Sequence, residues 1–196
     1  MGTVNDLNLC VATENGSGSA SANSILFKSI FKMGIACSSK NLFPSNIQGL
    51  PTWYLIRASK DGYLCRKGVI DATVAFNPRT IRQDVTEVRA GGLLIHDDST
   101  PLSPDLIRKD LQYIGVPATK IVHDAIKAPQ LRAKQRNMVY VGAVAKLFGI
   151  PLDIIEAVLQ DTFGNKPAVI EPNRVCIELG YKHIEQSAAR HELRVP

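Results

Sequence analysis

The chain has 196 residues, enough for one large domain, with 45% hydrophobic and 21% charged residues and a net charge of +5, an ordinary globular balance. No apolar run approaches the ~20 residues that a membrane-spanning helix needs, and Met1 to Asp6 carries no Lys or Arg before the first apolar stretch, so neither a membrane anchor nor a signal peptide is expected. Cys10, Cys37, Cys65 and Cys176 form no C-x-x-C pair, which argues against a zinc or iron–sulfur site and for reduced thiols in a cytoplasmic protein.

Leu7 to Thr13 (LNLCVAT) has the character of a buried strand. Glu14 to Ser19 (ENGSGS) is a Gly/Ser turn, and Ala20 to Met33 has helical spacing with Ile25, Leu26, Ser29, Ile30 and Met33 on one side. Gly34 stands where a helix ends. With Ile35 to Cys37 as a second strand, the opening reads β–turn–α–β, the first unit of a parallel α/β sheet.

Ser38 to Thr52 is broken by Pro44, Gly49 and Pro51 and reads as a long loop. Trp53 to Ala58 predicts a strand, Lys60-Asp61-Gly62 a tight turn, and Tyr63 to Arg66 the returning strand of a hairpin. Ala72 to Phe76 is a further strand, followed by a helix from Asn77-Pro78 to about Arg89 that Gly91-Gly92 stops. Leu93 to His96 reads as a strand, Pro101 to Leu111 as a short helix and Thr119 to Val122 as a last strand. From about residue 130 the chain is helical, with a break at Gly149-Ile150-Pro151. The expected fold is an α/β, Rossmann-like three-layer domain with a mostly parallel sheet, one inserted hairpin and C-terminal helices, occupying residues 1–196 as one domain.

Asn15-Gly16-Ser17-Gly18-Ser19 lies between a strand and a helix, where backbone N–H groups favour an anion. It resembles the start of a dinucleotide fingerprint, but Ser21 stands in the third glycine position. The acidic residue that would hold a ribose is replaced by Ser38, Ser39 and Lys40. That argues against NAD and leaves room for a phosphorylated ligand near Lys40. The plain alternative is a connecting turn whose serines cap the helix. His96-Asp97-Asp98 ends a strand, where carboxylates could hold a metal or act as a base. The favoured reading is that Asp97, Asp98 and Ser99 cap turns before the helix near Pro104. Lys127, Arg132, Lys134, Arg136 and Lys146 fall in a stretch free of acids from Asp124 to Asp153. No aromatics interleave them, so a solvated or partner-facing helix surface is expected ahead of nucleic-acid binding. His96, His123, His183 and His191 are scattered, and neither a G-x-S-x-G elbow nor a phosphate-loop motif is present.

The segment Lys40-Asn41-Leu42-Phe43-Pro44-Ser45-Asn46-Ile47-Gln48-Gly49-Leu50-Pro51-Thr52-Trp53, with the upstream turn Asn15 to Asn23, resembles the gamma domain of 2-oxoacid:ferredoxin oxidoreductases. It is most similar to the form that opens the alpha subunit of the 2-oxoglutarate type. The similarity runs on through Trp53 to Arg57, Gly91-Gly92 and the strand ending at Asp97. The resemblance implies a component of an enzyme that oxidatively decarboxylates a 2-oxoacid such as 2-oxoglutarate or pyruvate, forms a coenzyme A thioester and reduces ferredoxin. It places thiamine diphosphate, Mg and an iron–sulfur cluster on partner alpha and beta subunits or domains, with no catalytic residue and no metal on this chain. Coenzyme A is the substrate that could touch it, at Asn15, Gly16, Ser17, Gly18, Ser19 and Lys40. Asn41, Phe43, Pro44, Ser45, Asn46, Gln48 and Trp53 are the expected interface residues, Phe43 and Trp53 as aromatic anchors. Many gamma domains carry G-x-G-G-Q-G where this chain has Asn15-Gly16-Ser17-Gly18-Ser19, so contact details do not transfer. The rival readings are a stand-alone NADP-dependent Rossmann-like reductase, with Lys40 on the phosphate, and a basic nucleic-acid-binding module.

Overall fold

The computed structural model describes residues 6–43, 47–164 and 166–187. Its elements are β1 (Asp6–Glu14), α1 (Ser19–Lys32), β2 (Cys37–Leu42), β3 (Pro51–Ser59), β4 (Ile70–Ala75), α2 (Ile81–Glu87), β5 (Val88–Asp97), β6 (Gln112–Val116), α3 (Ala118–Ala125), α4 (Pro129–Phe148), α5 (Leu152–Phe163) and α6 (Pro167–Gln186), with a 3-10 turn at Pro104–Leu106 before β6. The six strands form one sheet in the order β2-β3-β1-β4-β5-β6. β1, β4, β5 and β6 run parallel, while β3 is antiparallel to both β1 and β2.

β1 is buried along almost its whole length because it is central and covered on both faces, which is why it reads as a continuous apolar run. Leu7, Leu9 and Val11 face a layer built from α1, α3, α4, α5 and α6. The opposite face is covered more thinly. There Val85 of α2 packs with Ala75, Val88, Leu94 and Leu111. The three layers are therefore unequal, with α4 buried nearly all round from Gln135 onward at the centre of the helical side. Among the described residues no helix is long and apolar enough to cross a membrane.

The expected mostly parallel sheet with C-terminal helices is present, but several elements fall elsewhere. The second strand is Cys37–Leu42, and it joins the sheet at its edge beside the antiparallel β3. The hairpin is β2 with β3, not Trp53–Ala58 with Tyr63–Arg66. Residues 63–66 form no strand; the chain there lies across the sheet, held by Asn8 Nδ2 donating to the carbonyls of Lys67 (3.3 Å) and Val69 (2.5 Å). Gly91-Gly92 does not stop a helix. It sits inside β5 in an irregularity where Ile70 pairs with Val88 but Ala72 pairs with Leu93. A Cβ on Gly92 would lie 2.8 Å from the Asp71 carbonyl, so the close approach requires glycine.

The expected helix over Pro101–Leu111 shrinks to its 3-10 turn. Thr119–Val122, expected as a strand, belongs to α3, and the last strand is the preceding Gln112–Val116. Short apolar runs do not distinguish the two periods, and Pro117 immediately before α3 is the stronger signal.

Candidate functional site

The strand order reverses beside β1, whose neighbours β3 and β4 continue the chain in opposite directions. In open α/β sheets the crevice at the carboxyl ends of such strands is the usual ligand position. Here the end of β1 leads into the turn Asn15–Ser19. Gly16 and Gly18 have φ of 83° and 85°, the left-handed region that glycine adopts without strain. Gly18 is the cap residue of α1, and no side chain caps that helix, so the turn's serines do not perform the capping role read from the sequence.

Two segments close over this turn. The first is the loop after β2. Asn15 N donates to the Leu50 carbonyl (2.8 Å), Gly49 N donates to the Asn15 carbonyl (2.9 Å), and Asn15 Nδ2 donates to the Ile47 carbonyl (3.2 Å). These bonds carry the β1–β3 pairing beyond Glu14 opposite Pro51. Gln48 lies over Gly16 so closely that a Cβ there would be 2.7 Å from its Cγ. The second is α4. Asn137 Nδ2 donates to the Ser17 carbonyl at 2.8 Å, and the Lys134 stem packs on Gly18. Residues 47–50 of the predicted loop and the predicted turn are thus one unit, with Gln48 at its centre, while residues 38–42 of that predicted loop belong to strand β2.

Lys40 does not join it. Lys40 pairs with Leu55, four register positions from the Pro51 that faces Glu14, which is roughly 13 Å along the strand. Arg79 Nη1 reaches the closing loop, donating to the Gly49 carbonyl (3.3 Å), and the cation on the α4 side of the turn is Lys134. It was legible only as one member of the acid-free run, because its neighbour in space is 116 positions earlier in sequence (Gly18).

Asn41, Phe43 and Trp53 gather with Leu42 around an open depression at the end of the β2–β3 hairpin. Asn41 is exposed, Phe43 is 48% exposed, and Trp53 is half-buried. Trp53 Nε1 donates to Asp84 Oδ1 at 2.9 Å, and Thr80 Oγ1 donates to Asp84 Oδ2 at 2.7 Å. Burial pushes the Asp84 carboxyl up to about 6, against the lowering effect of those two hydrogen bonds, and nearby Glu87 adds to the rise. Pro44, Ser45 and Asn46 lie outside the described residues.

A second recess, about 210 Å³, lies at the ends of β4 and β5. It is lined by Phe76, His96, Asp97, Thr119 and Arg136 with an apolar wall that includes Leu102. Asp97 is committed to structure. It accepts from Thr119 N (3.2 Å) and Thr119 Oγ1 (2.5 Å) and pairs with Arg136 Nε at 3.5 Å. Ser99 Oγ accepts from Lys120 N at 3.2 Å. Asp97 Oδ1 also accepts from Ser99 N at 3.1 Å, closing a turn before Pro104 as expected, and Asp97 and Ser99 together hold the start of α3 as well. Arg136 also donates to the Phe76 carbonyl and lies over the Phe76 ring, 5.4 Å from its centroid. Burial pushes the His96 imidazole below its ordinary range, opposed by the charges of Asp98 and Asp97. Other cations of the basic run are also engaged. Arg132 Nε donates to the Ile126 carbonyl (2.9 Å), and Lys146 pairs with Glu185 at 2.6 Å.

Among the described residues no three His, Cys, Asp or Glu side chains gather as a metal ion would require. Cys10, Cys37 and Cys176 are buried singly, and burial raises all three thiols.

The overall fold recurs in known proteins. A 2-oxoglutarate:ferredoxin oxidoreductase from Magnetococcus marinus, solved with 2-oxoglutarate, coenzyme A and succinyl-CoA bound, superposes with a TM-score of 0.85 at 25% identity over 98% of this chain and 33% of its own. A pyruvate oxidoreductase subunit from Thermotoga maritima matches with a TM-score of 0.70 at 21% identity, over 91% of this chain and 96% of its own. The gamma subunit of a keto/oxoacid ferredoxin oxidoreductase from Geobacter sulfurreducens matches with a TM-score of 0.73 at 18% identity, over 93% of this chain and 99% of its own. In sequence, subunit alpha of 2-oxoacid:ferredoxin oxidoreductase 2 from Aeropyrum pernix is 21% identical over 97% of this chain. The chain spans 36% of that relative's length. The comparisons do not favour a stand-alone reductase. The pattern of the pyruvate ferredoxin/flavodoxin oxidoreductase family matches residues 8–183, from the first buried strand to the last helix, and the chain belongs to that family.

Proposed function

We propose that the chain is the gamma-type component of a cytoplasmic 2-oxoacid:ferredoxin oxidoreductase and completes a reaction centre carried by its partners. The observation that carries this reading is the family match across residues 8–183, which includes both the turn and the loop that closes on it. The partners would be thiamine-binding alpha and beta subunits or domains, with ferredoxin reached through the complex. Thiamine diphosphate, when bound there, supplies the carbanion chemistry, and an iron–sulfur cluster carries the electrons. The scattered buried cysteines of this chain support assigning the cluster to a partner.

This chain's own residues then bind and position. Phe43 and Trp53 offer an aromatic contact at the hairpin end, with Asn41 beside them. The Trp53–Asp84 hydrogen bond holds the indole in place for that role. Gln48, exposed and seated on Gly16, links the loop to the turn. In the turn Asn15 to Ser19 the Asn15 and Ser17 N–H groups are taken by the Leu50 and Glu14 carbonyls, so Gly16, Gly18 and Ser19, with Lys134 alongside, would present backbone N–H groups and a cation to coenzyme A, whose thiol takes the acyl group.

The test replaces Phe43 and Gln48 with alanine in the intact complex. Partner co-purification is expected to weaken with Phe43→Ala, and turnover of the assembled enzyme to fall about tenfold or more with Gln48→Ala. Unchanged assembly and unchanged turnover in both would remove the loop from the mechanism.

A further inference from the structure

On the sheet face away from the helical layer, Ser38, Lys40, Leu55 and Arg57 share one side, because residues two apart along a strand point the same way. The segment 60–69 crosses above them. Ser38 Oγ donates to the Leu64 carbonyl at 2.6 Å, and Tyr63 N donates to Ser59 Oγ at 3.1 Å, fixing the crossing. Between crossing segment and sheet lies a recess of about 210 Å³ lined by Ser38, Lys40, Arg57, Leu64 and Arg66 among others.

Three of those side chains are cations. Arg57 is only 5% exposed. Its Nη1 is used, 2.6 Å from Asp6 Oδ1 and donating to the carbonyls of Leu7 and Ala58. Its Nε is buried and has no acceptor among the described residues. A buried guanidinium N–H is rarely left without one. Lys40 and Arg66 make no ion pair among the described residues, and Asp6 is already shared between Arg57 and Lys67, the latter at 2.5 Å. The recess therefore holds more positive charge than its own carboxylate balances. The crossing segment brings Arg66 over the sheet opposite Lys40, so the cations face a common space.

We propose that this recess is an anion site that takes a phosphate group. A tetrahedral dianion accepts from Lys40 and Arg66 on the open side, with the Arg57 guanidinium adding positive charge from the sheet side, a donor set suited to phosphate. The site is separate from the turn at Asn15–Ser19 and does not depend on the family reading. It gives Lys40 the anion partner that its sequence context suggests, at a different place.

The experiment is calorimetric titration of the purified protein with inorganic phosphate at constant ionic strength, and with ribose 5-phosphate in a second arm. Saturable binding is expected. Lys40→Gln and Arg66→Gln, both on exposed side chains, should each weaken it about tenfold, the effect of one charge-assisted hydrogen bond. The double variant should bind no phosphate while keeping the parent's melting temperature. Ribose 5-phosphate binding more tightly than phosphate would mean the group arrives on an organic carrier; equal affinity would mean free phosphate. Either result keeps the site. No saturable binding by the parent, or equal binding by the double variant, overturns it.

Discussion

Asp84 sits at 2% exposure between Trp53 and Thr80 and keeps a proton to higher pH than an exposed carboxyl. The sign follows from linkage. The folded protein holds that proton up to about 6, whereas the unfolded chain releases it near 3.8, so this group's contribution to stability is full below 3.8 and is lost as pH rises to about 6. Asp84→Asn stays neutral and keeps an acceptor for the indole. It should exceed the parent in stability at about pH 8, by at most about 3 kcal/mol, and match it near pH 3. Denaturant titrations at the two pH values check this, and an equal gap at both would clear the carboxyl of any part in it. At this scale sequence reading was uneven. Gly16, Gly18 and Gln48 stood out because glycine at a strand-to-helix corner and a proline-flanked loop are local signals. Asp84 did not, since nothing nearby in sequence tells that Trp53 would reach it from another element.

Elements were legible where their pattern was long. β1, α1 and the helices after residue 130 follow from sustained apolar runs, and Gly34 and Gly149, with φ of 81° and 80°, mark two helix ends. β2 was hidden because an edge strand with Ser38, Ser39, Lys40 and Asn41 carries little apolar signal. α3 carries a weak signal because eight residues hold little more than two helical turns. The contact between α4 and α6 is a further feature that only tertiary structure reveals. A Cβ on Gly142 would lie 1.8 Å from the Ile177 carbonyl oxygen, and one on Gly180 would lie 2.0 Å from that of Val139. The two backbones therefore cross with no room for a methyl group. Gly142→Ala should destabilise the fold by on the order of 3 kcal/mol, read as a lowered melting temperature. A loss below about 0.5 kcal/mol would show that the helices can part without penalty.

For the molecule as a whole, the fold class follows from the alternation of strands and helices, and the family from two motifs read together. What the order of elements did not reveal was that, among the described residues, α1, α3, α4, α5 and α6 share one face while α2 packs on the other. The turn also depends on remote parts of the chain. Asn137 holds Ser17 across 120 residues, and the Tyr140 hydroxyl donates to Asn23 Oδ1 at 2.9 Å across 117. The chain is made from its amino end, so the ribosome exposes that glycine–serine corner long before its clamp exists. During synthesis, the corner should be open to protease until α4 has left the exit tunnel. Arrested nascent chains with Phe148 still inside the tunnel and with Phe148 clear of it would display the change as a cleavage that disappears, and cleavage equal in both would mean the corner sets without its distant support.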